Sequence, residues 1–172
     1  MEETKKKGLN TSSNSYTIIY SVVIVVVVAF LLAFVSSTLK PQQDENVALD
    51  KKKQILAALN IRDIDGAEAT EQYNKVVTAD KIIDRNGEEV EAGKQGGTEA
   101  GFLCNSTSTK EGKLALYVCN VDGETKYVIP VYGMGLWGGI SGYIALNADK
   151  QTVYGAYFNH EGETAGLGAE IK

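Results

Sequence analysis

Tyr132–Leu146 reads YGMGLWGGISGYIAL, and after a predicted hairpin Asn159–Gly168 reads NHEGETAGLG. Nine of the 18 glycines fall between Gly133 and Gly168. Glycine weakens strands, so this density beside strand-like sequence calls for a reason: a bulge, a tight bend, or backbone that approaches a ligand closely. The two glycine-rich turns, Gly133–Gly142 and Gly162–Gly168, flank one hairpin, and a hairpin brings its ends together. Both turns then line one cleft, where a planar ligand lies on the backbone and amide N–H groups meet its polar atoms. The alternative is a glycine-bent sheet without a ligand.

Working outward, the flanking sequence is a series of hairpins. Asn86-Gly87 separates Lys81–Arg85 from Glu88–Ala92, and Asp122-Gly123 separates Leu114–Val121 from Lys126–Tyr132; both dipeptides favour tight turns. Tyr143–Leu146 and Thr152–Phe158 form a third pair around Asn147–Lys150. Gly93–Gly101 reads as a loop. Upstream, Val47–Leu59 carries Leu49, Ile55, Leu56 and Leu59 at helical spacing, with Asn60 as a stop. Ala67–Val77 gives a second helix with Tyr73, Val76 and Val77 on its apolar side. Lys51, Lys52 and Lys53 read as a solvated face, or as a contact for anionic lipid headgroups. The pattern is that of an α+β domain with an antiparallel sheet and flanking helices.

Tyr16–Val35 has no charged residue, and the charge-free stretch extends from Lys7 to Lys40. Twenty helical residues span about 30 Å, the thickness of the hydrocarbon core. The run is longer than a signal-peptide core and lacks a clear A-x-A cleavage site. It reads as a single transmembrane helix, with Tyr16 and Tyr20 in the interfacial belt. Lysines stand on both sides, so charge does not fix the orientation.

The chain has 172 residues and a net charge of −5, enough for one domain beyond the membrane helix and without a nucleic-acid footprint. Two cysteines and one histidine supply neither a disulfide scaffold nor a zinc set. His160-Glu161 lacks the second histidine of a zincin, because position 164 is Thr. Gly133, Gly135 and Gly138 match G-x-G-x-x-G, but strand sequence follows where a dinucleotide fold requires a helix. No catalytic constellation and no metal-ligand set is read.

The segments Tyr132–Trp137, Gly142–Ala145 and His160–Gly168 resemble the flavin-binding domain in the C subunit of the sodium-pumping NADH:quinone oxidoreductase, and in the G subunit of the related ion-pumping ferredoxin:NAD oxidoreductase. Order, spacing and the single N-terminal membrane segment agree over nearly the whole chain; the specific motifs occupy the last quarter. The resemblance implies a flavin subunit that relays electrons through FMN during NADH-to-quinone (ubiquinone) transfer coupled to sodium export. Its partners would be the other subunits of the complex and the lipid bilayer, with no nucleic acid. It also implies a cytoplasmic tail over residues 1–15, a transmembrane helix over 16–38 in the inner (plasma) membrane, and an extracytoplasmic, FMN-binding-type domain over 39–172. The long polar insert before the flavin loops favours the sodium-pumping family. The alternatives are the flavoprotein of the ferredoxin-linked complex and a cofactor-free membrane-anchored assembly module.

The implied cofactor-binding residues are Gly133, Gly135, Leu136, Trp137, Glu163, Thr164, Gly166, Leu167 and Gly168. Leu167 would pack on the apolar ring system and Thr164 would bond its polar edge, contacts that tune a flavin. Trp137 would flank the ring or sit in the core. In the family FMN is joined through its phosphate to the threonine ending an [S/T]-G-A-T motif. Here only Gly66–Thr70 echoes it, upstream, so the attachment threonine and the rest of the domain are expected beyond Lys172. Cys104 and Cys119, read in neighbouring strands of a domain outside the cytoplasm, form a disulfide if their Cα atoms lie within about 7 Å, or remain two buried thiols.

Overall fold

A computed structural model describes residues 13–162 of the chain. Two compact units are distinguished, residues 1–46 and 47–172. The first carries most of helix α1, Asn14–Ala58, whose apolar part is long and apolar enough to cross a membrane and buries none of its side chains. Pro41 lies within this helix, so residues read separately as 16–38 and 47–59 belong to one element. Thr38 returns its hydroxyl to the Phe34 carbonyl at 2.9 Å just before the proline.

The second unit is an open six-stranded antiparallel sheet in the order β2-β1-β3-β4-β5-β6, with the end of α1 and helix α2 (Gly66–Val76) on one face. The strands are β1 Val77–Ile83, β2 Glu89–Glu91, β3 Leu114–Val121, β4 Glu124–Met134, β5 Gly139–Leu146 and β6 Val153–His160. Between β2 and β3 lie a 3-10 turn, Gly101–Leu103, and the short helix α3, Ser106–Lys110.

Alternation makes the core. Ala115, Tyr117 and Cys119 of β3, Val128 of β4, and Tyr143 and Ala145 of β5 share one face and are buried against Ile55, Leu56 and Leu59 of the α1 end and Ala69, Tyr73 and Val76 of α2. Helix α1 stops where expected. Asn60 takes φ 62°, Ile61 N–H reaches Leu56 O at 3.0 Å, and Asn60 N–H reaches Ala57 O at 3.0 Å. This is the pair of bonds that closes a helix on a left-handed residue. A Cβ at Gly155 would come within 2.4 Å of the Ala58 carbonyl oxygen, so a glycine lets the helix end close on β6.

The hairpin signals hold, with different extents. Asp122 and Gly123 take φ 52° and 85° between the paired Val121 and Glu124, a two-residue turn. At the first hairpin the Asp84 carboxylate accepts the N–H groups of Asn86 and Glu88, so the turn spans Asp84–Glu88 and β1 ends at Ile83, not Arg85. β1 also begins earlier than predicted, because Val77–Asp80 pair with the distant β3. β4 and β5 themselves pair over eight residues, from Tyr127↔Leu146 to Met134↔Gly139. Pro130 has no N–H, and the β3–β4 ladder stops just before it at Tyr117↔Val128.

Two expectations are corrected. Lys51 is not on a solvated face: its ammonium donates to the carbonyls of Phe102 and of Cys104 (3.0 Å), stands over the Phe102 ring, and has its pKa lowered by burial. Those inward carbonyls need a cation, and nothing local in the sequence announces them. Lys52 likewise lies over the Tyr73 ring at 5.6 Å. Cys104 follows the 3-10 turn and is not in a strand; Cys104 and Cys119 are both free, buried thiols, so the second of the two alternatives holds.

Candidate functional site

The glycine-rich stretch is a β-hairpin. Gly133 and Met134 end β4, Gly139 and Gly142 belong to β5, and the turn between closes with Gly135 N–H on Gly138 O at 2.8 Å. The strand that follows Gly138 excludes the dinucleotide-binding helix, as expected from the sequence. His160 ends β6 in register with Ile140, a strand-end position. Beyond it, Glu161 N–H bonds Gly139 O at 3.0 Å, and Gly162 comes against Gly138. The two glycine-rich segments therefore meet through the β5–β6 hairpin, as far as Gly162.

These glycines do different work. A Cβ on Gly142 would lie 2.4 Å from Tyr157 O and 2.7 Å from the Phe158 ring; one on Gly139 would lie 3.0 Å from the Glu161 carboxylate. Both admit neighbouring chain. At Gly133 a Cβ would meet nothing within 4 Å. The space above Gly133 is open.

Two cavities lie here, one on each face of the sheet, and only the one on the Gly133 face uses that space. They share Tyr132, Gly133, Met134, Ile140 and Ser141 at the end of the β4–β5 ladder. The smaller, about 240 Å³, adds Val131 and Phe158 and is apolar. The larger, about 460 Å³, adds Ser106, Lys110, Gly139 and Glu161. Tyr132 is 38% exposed, and the burial of the rest of its side chain raises its phenol pKa. The Gly133 face is thus apolar, and the opposite face carries a cation, a carboxylate and hydroxyls. The apolar cavity suits a flat, apolar group.

Of the predicted site residues, Gly133 lines this cleft. Gly135 sits in the turn, and Leu136 and Trp137 stand at its tip, 78% and 65% exposed, so Trp137 is not a core aromatic. Glu163, Thr164, Gly166, Leu167 and Gly168 lie outside the described residues. Thr70 sits in α2 with its hydroxyl on Gly66 O. Sequence reasoning missed Ser106, Lys110, Ser141 and Glu161. The N-cap pattern Asn105–Ser108 was the available signal for α3; Asn105 Oδ1 accepts Thr107 and Ser108 N–H at 2.9 and 3.0 Å.

A further cavity of about 470 Å³ lies between the α1 end and β6, lined by Asp50, Lys53, Arg62, Asp63, Tyr157 and Asn159 among others. It is separate from the glycine hairpin.

Fold and site together define an α+β sheet domain with cavities at its glycine-rich hairpin, in a chain bearing one helix able to cross a membrane. No family model matches the chain. It is 29% identical to the C subunit of the Na(+)-translocating NADH-quinone reductase of Pseudomonas aeruginosa, over 94% of this chain and 69% of that one. It is 32% identical to the C subunit of the same reductase from Haemophilus ducreyi, over 81% of this chain and 60% of that one. The crystal structure of the corresponding subunit from Parabacteroides distasonis superposes with a TM-score of 0.70 at 39% identity, over 77% of this chain and 63% of that chain. By sequence and by fold the chain is a homologue of the C subunit of the Na(+)-translocating NADH-quinone reductase. It spans about 60–69% of the length of the relatives it matches.

Proposed function

We propose that the chain is the membrane-anchored flavin subunit of a sodium-translocating NADH:quinone reductase, with its domain on the extracytoplasmic side and FMN in the cleft at the end of β4–β5. The observation that carries the proposal is the apolar cavity over Gly133, in a chain homologous to the reductase's C subunit. When bound there, the flavin supplies one- and two-electron redox chemistry.

The chain's own residues would bind and orient it. Val131, Ile140 and Phe158 offer an apolar slot for the ring system. Gly133 lets the ligand reach the backbone. The chain itself would not bind NADH; electrons would arrive from and leave to cofactors of other subunits, during quinone reduction coupled to sodium export. All relatives named above belong to the sodium-translocating reductase, which supports this reading over the flavoprotein of the ferredoxin-linked complex.

The test is to purify the full chain from membranes with detergent, add FMN, and record absorbance and bound flavin after gel filtration. A flavin spectrum eluting with the protein is expected, as is copurification of other reductase subunits from the native membrane. A colourless protein that recovers no partner subunit would leave a cofactor-free anchor module as the reading.

A further inference from the structure

β6 is the last strand of the sheet, and among the described residues its one ladder partner is β5. Its outer edge therefore presents backbone N–H and C=O groups that can template another strand. Such groups alternate along a strand between one side and the other. Glu161 N–H points inward to Gly139 O. The carbonyls of Tyr154 and Ala156 point outward and accept Asn60 Nδ2 at 3.2 Å and Arg62 Nη2 at 3.4 Å. Phe158, two residues beyond Ala156, presents its N–H and carbonyl to that same side. The Arg62 bond is long and the side chain is exposed, so an incoming strand displaces it at little cost.

A groove runs beside this edge. The cavity of about 470 Å³ lies between the α1 end and β6, and it is lined by Tyr157 and Asn159, which pair with Tyr143 and Ser141. Ala57, Ile61, Ile64 and Tyr157 give it apolar surface, and Asp50, Lys53, Arg62 and Asp63 stand around it. None of these four charges forms an ion pair among the described residues. Two of each sign cancel, so the lining selects neither a polyanion nor an anionic headgroup. It suits a neutral backbone whose side chains carry charges of either sign. A helix beside a free strand edge is the geometry in which an extended peptide joins a sheet, with its main chain on the edge and alternate side chains in the groove.

We infer that β6 receives an extended strand from another subunit, laid alongside Ala156 and Phe158, with one large apolar side chain in the cavity between Ala57 and Tyr157. The geometry disfavours two other occupants. The chain directly after β6 stays on the β5 side, with Gly162 against Gly138. A second copy laid antiparallel on the same edge would bring its Arg62 against the first copy's Arg62, cation against cation. The inference rests on the reading of the chain as one subunit of a complex, and not on its flavin.

The test places the photo-crosslinker p-benzoylphenylalanine at Asn159, which lines the cavity, in the full chain in its native membranes. Crosslinked peptides are sequenced by mass spectrometry. One contiguous segment of one other subunit is expected. Ala156→Pro removes an outward N–H that the β5 ladder does not use, a change that an edge strand tolerates, and should abolish that crosslink with an unchanged urea midpoint. Ala57→Trp fills the cavity without altering the edge and should abolish it too. The same crosslinker at Val90, on the β2 edge at the other end of the sheet, should not reach the segment. Crosslinks that fall within this chain beyond Gly162, on a second copy, or on no polypeptide would overturn the inference. So would a crosslink that survives both substitutions in folded protein, or one that forms equally from Val90. A chain that recovers no other subunit removes the reading of a complex and this inference with it, whereas a chain that recovers subunits without this crosslink removes the added strand alone.

Discussion

The Asp80 carboxylate, 1% exposed in the core, accepts the backbone N–H of Ala100 at 3.1 Å, twenty residues away. The same side chain accepts Phe102 N–H at 3.3 Å and Lys94 N–H at 3.2 Å. It therefore holds the 93–102 loop to β1, and through Phe102 and Cys104 it sets the carbonyls that receive Lys51. Gly93, Gly97 and Gly101 all pack against Asp80 or its neighbour, with would-be Cβ atoms at 1.7–2.4 Å. Removing the carboxylate leaves buried N–H groups without a partner, each costing about 1–3 kcal/mol. Asp80→Ala should destabilise the domain by about 3 kcal/mol, read from the urea midpoint of the full chain in detergent. Asp80→Asn, which retains one acceptor oxygen, should lose less.

Lys126 is a second buried charge with a complete set of partners. Its ammonium meets Glu124 at 2.6 Å and Asn147 Oδ1 at 2.8 Å, and lies 4.3 Å from the Tyr154 ring centroid. Glu124 is exposed, so the pair gains little from that side. Lys126→Ala should cost about 2 kcal/mol by opening a hole beside Tyr154 and stripping Asn147 of its donor. Lys126→Met, which fills the volume, should cost clearly less, and Glu124→Ala should hardly change the unfolding midpoint.

The buried thiols and phenols set an alkaline limit. Burial pushes Cys119 up to about 12, and raises Cys104 against the pull of Lys51 and Lys113. Burial also raises Tyr73, Tyr117 and Tyr143. A group whose folded pKa exceeds its unfolded value contributes stability that is whole below the unfolded value and is lost as pH rises toward the folded one. For Cys119 that window runs from the ordinary thiol value of 9.0 to about 12. Urea midpoints should thus hold to about pH 8 and fall steadily by about pH 10.5. Both cysteines should resist iodoacetamide in the native protein and label as two free thiols after unreduced denaturation.

Much of this fold is legible in short-range signals. Asn60 takes the left-handed conformation that ends α1, and Asp122-Gly123 makes its two-residue turn, because each depends on a few adjacent dihedral angles. What escapes is set by distant partners. Val77–Asp80 becomes strand because β3 lies beside it, and Lys51 turns inward because Phe102 and Cys104 present carbonyls there. The glycine-rich sequence identifies the hairpin that carries the cleft. It does not separate Gly133, open to a ligand, from Gly139 and Gly142, which are filled by Glu161, Tyr157 and Phe158. Lys110 and Ser106 are invisible from sequence because α3 is a single turn whose place is set by distant partners, such as the Arg85 bond from the β1–β2 turn.

That separation of glycines gives the most direct test of where the ligand lies. Gly133 has no neighbour within 4 Å of a would-be Cβ, and its φ lies outside the left-handed region that penalises other residues. Gly133→Val should therefore fold with an unchanged urea midpoint, since β-branched residues suit a strand. The isopropyl group would project into the apolar cavity beside Ile140 and Phe158. FMN and riboflavin binding should both fall roughly tenfold or more, because the ring itself is displaced. Gly142→Ala should behave in the opposite sense: its Cβ meets the Tyr157 carbonyl at 2.4 Å, so stability falls first, and flavin binding only as far as folding does. The pair is read by unfolding midpoints and flavin fluorescence on the same preparations. Wild-type flavin affinity in a well-folded Gly133→Val protein would move the site away from the β4–β5 cleft.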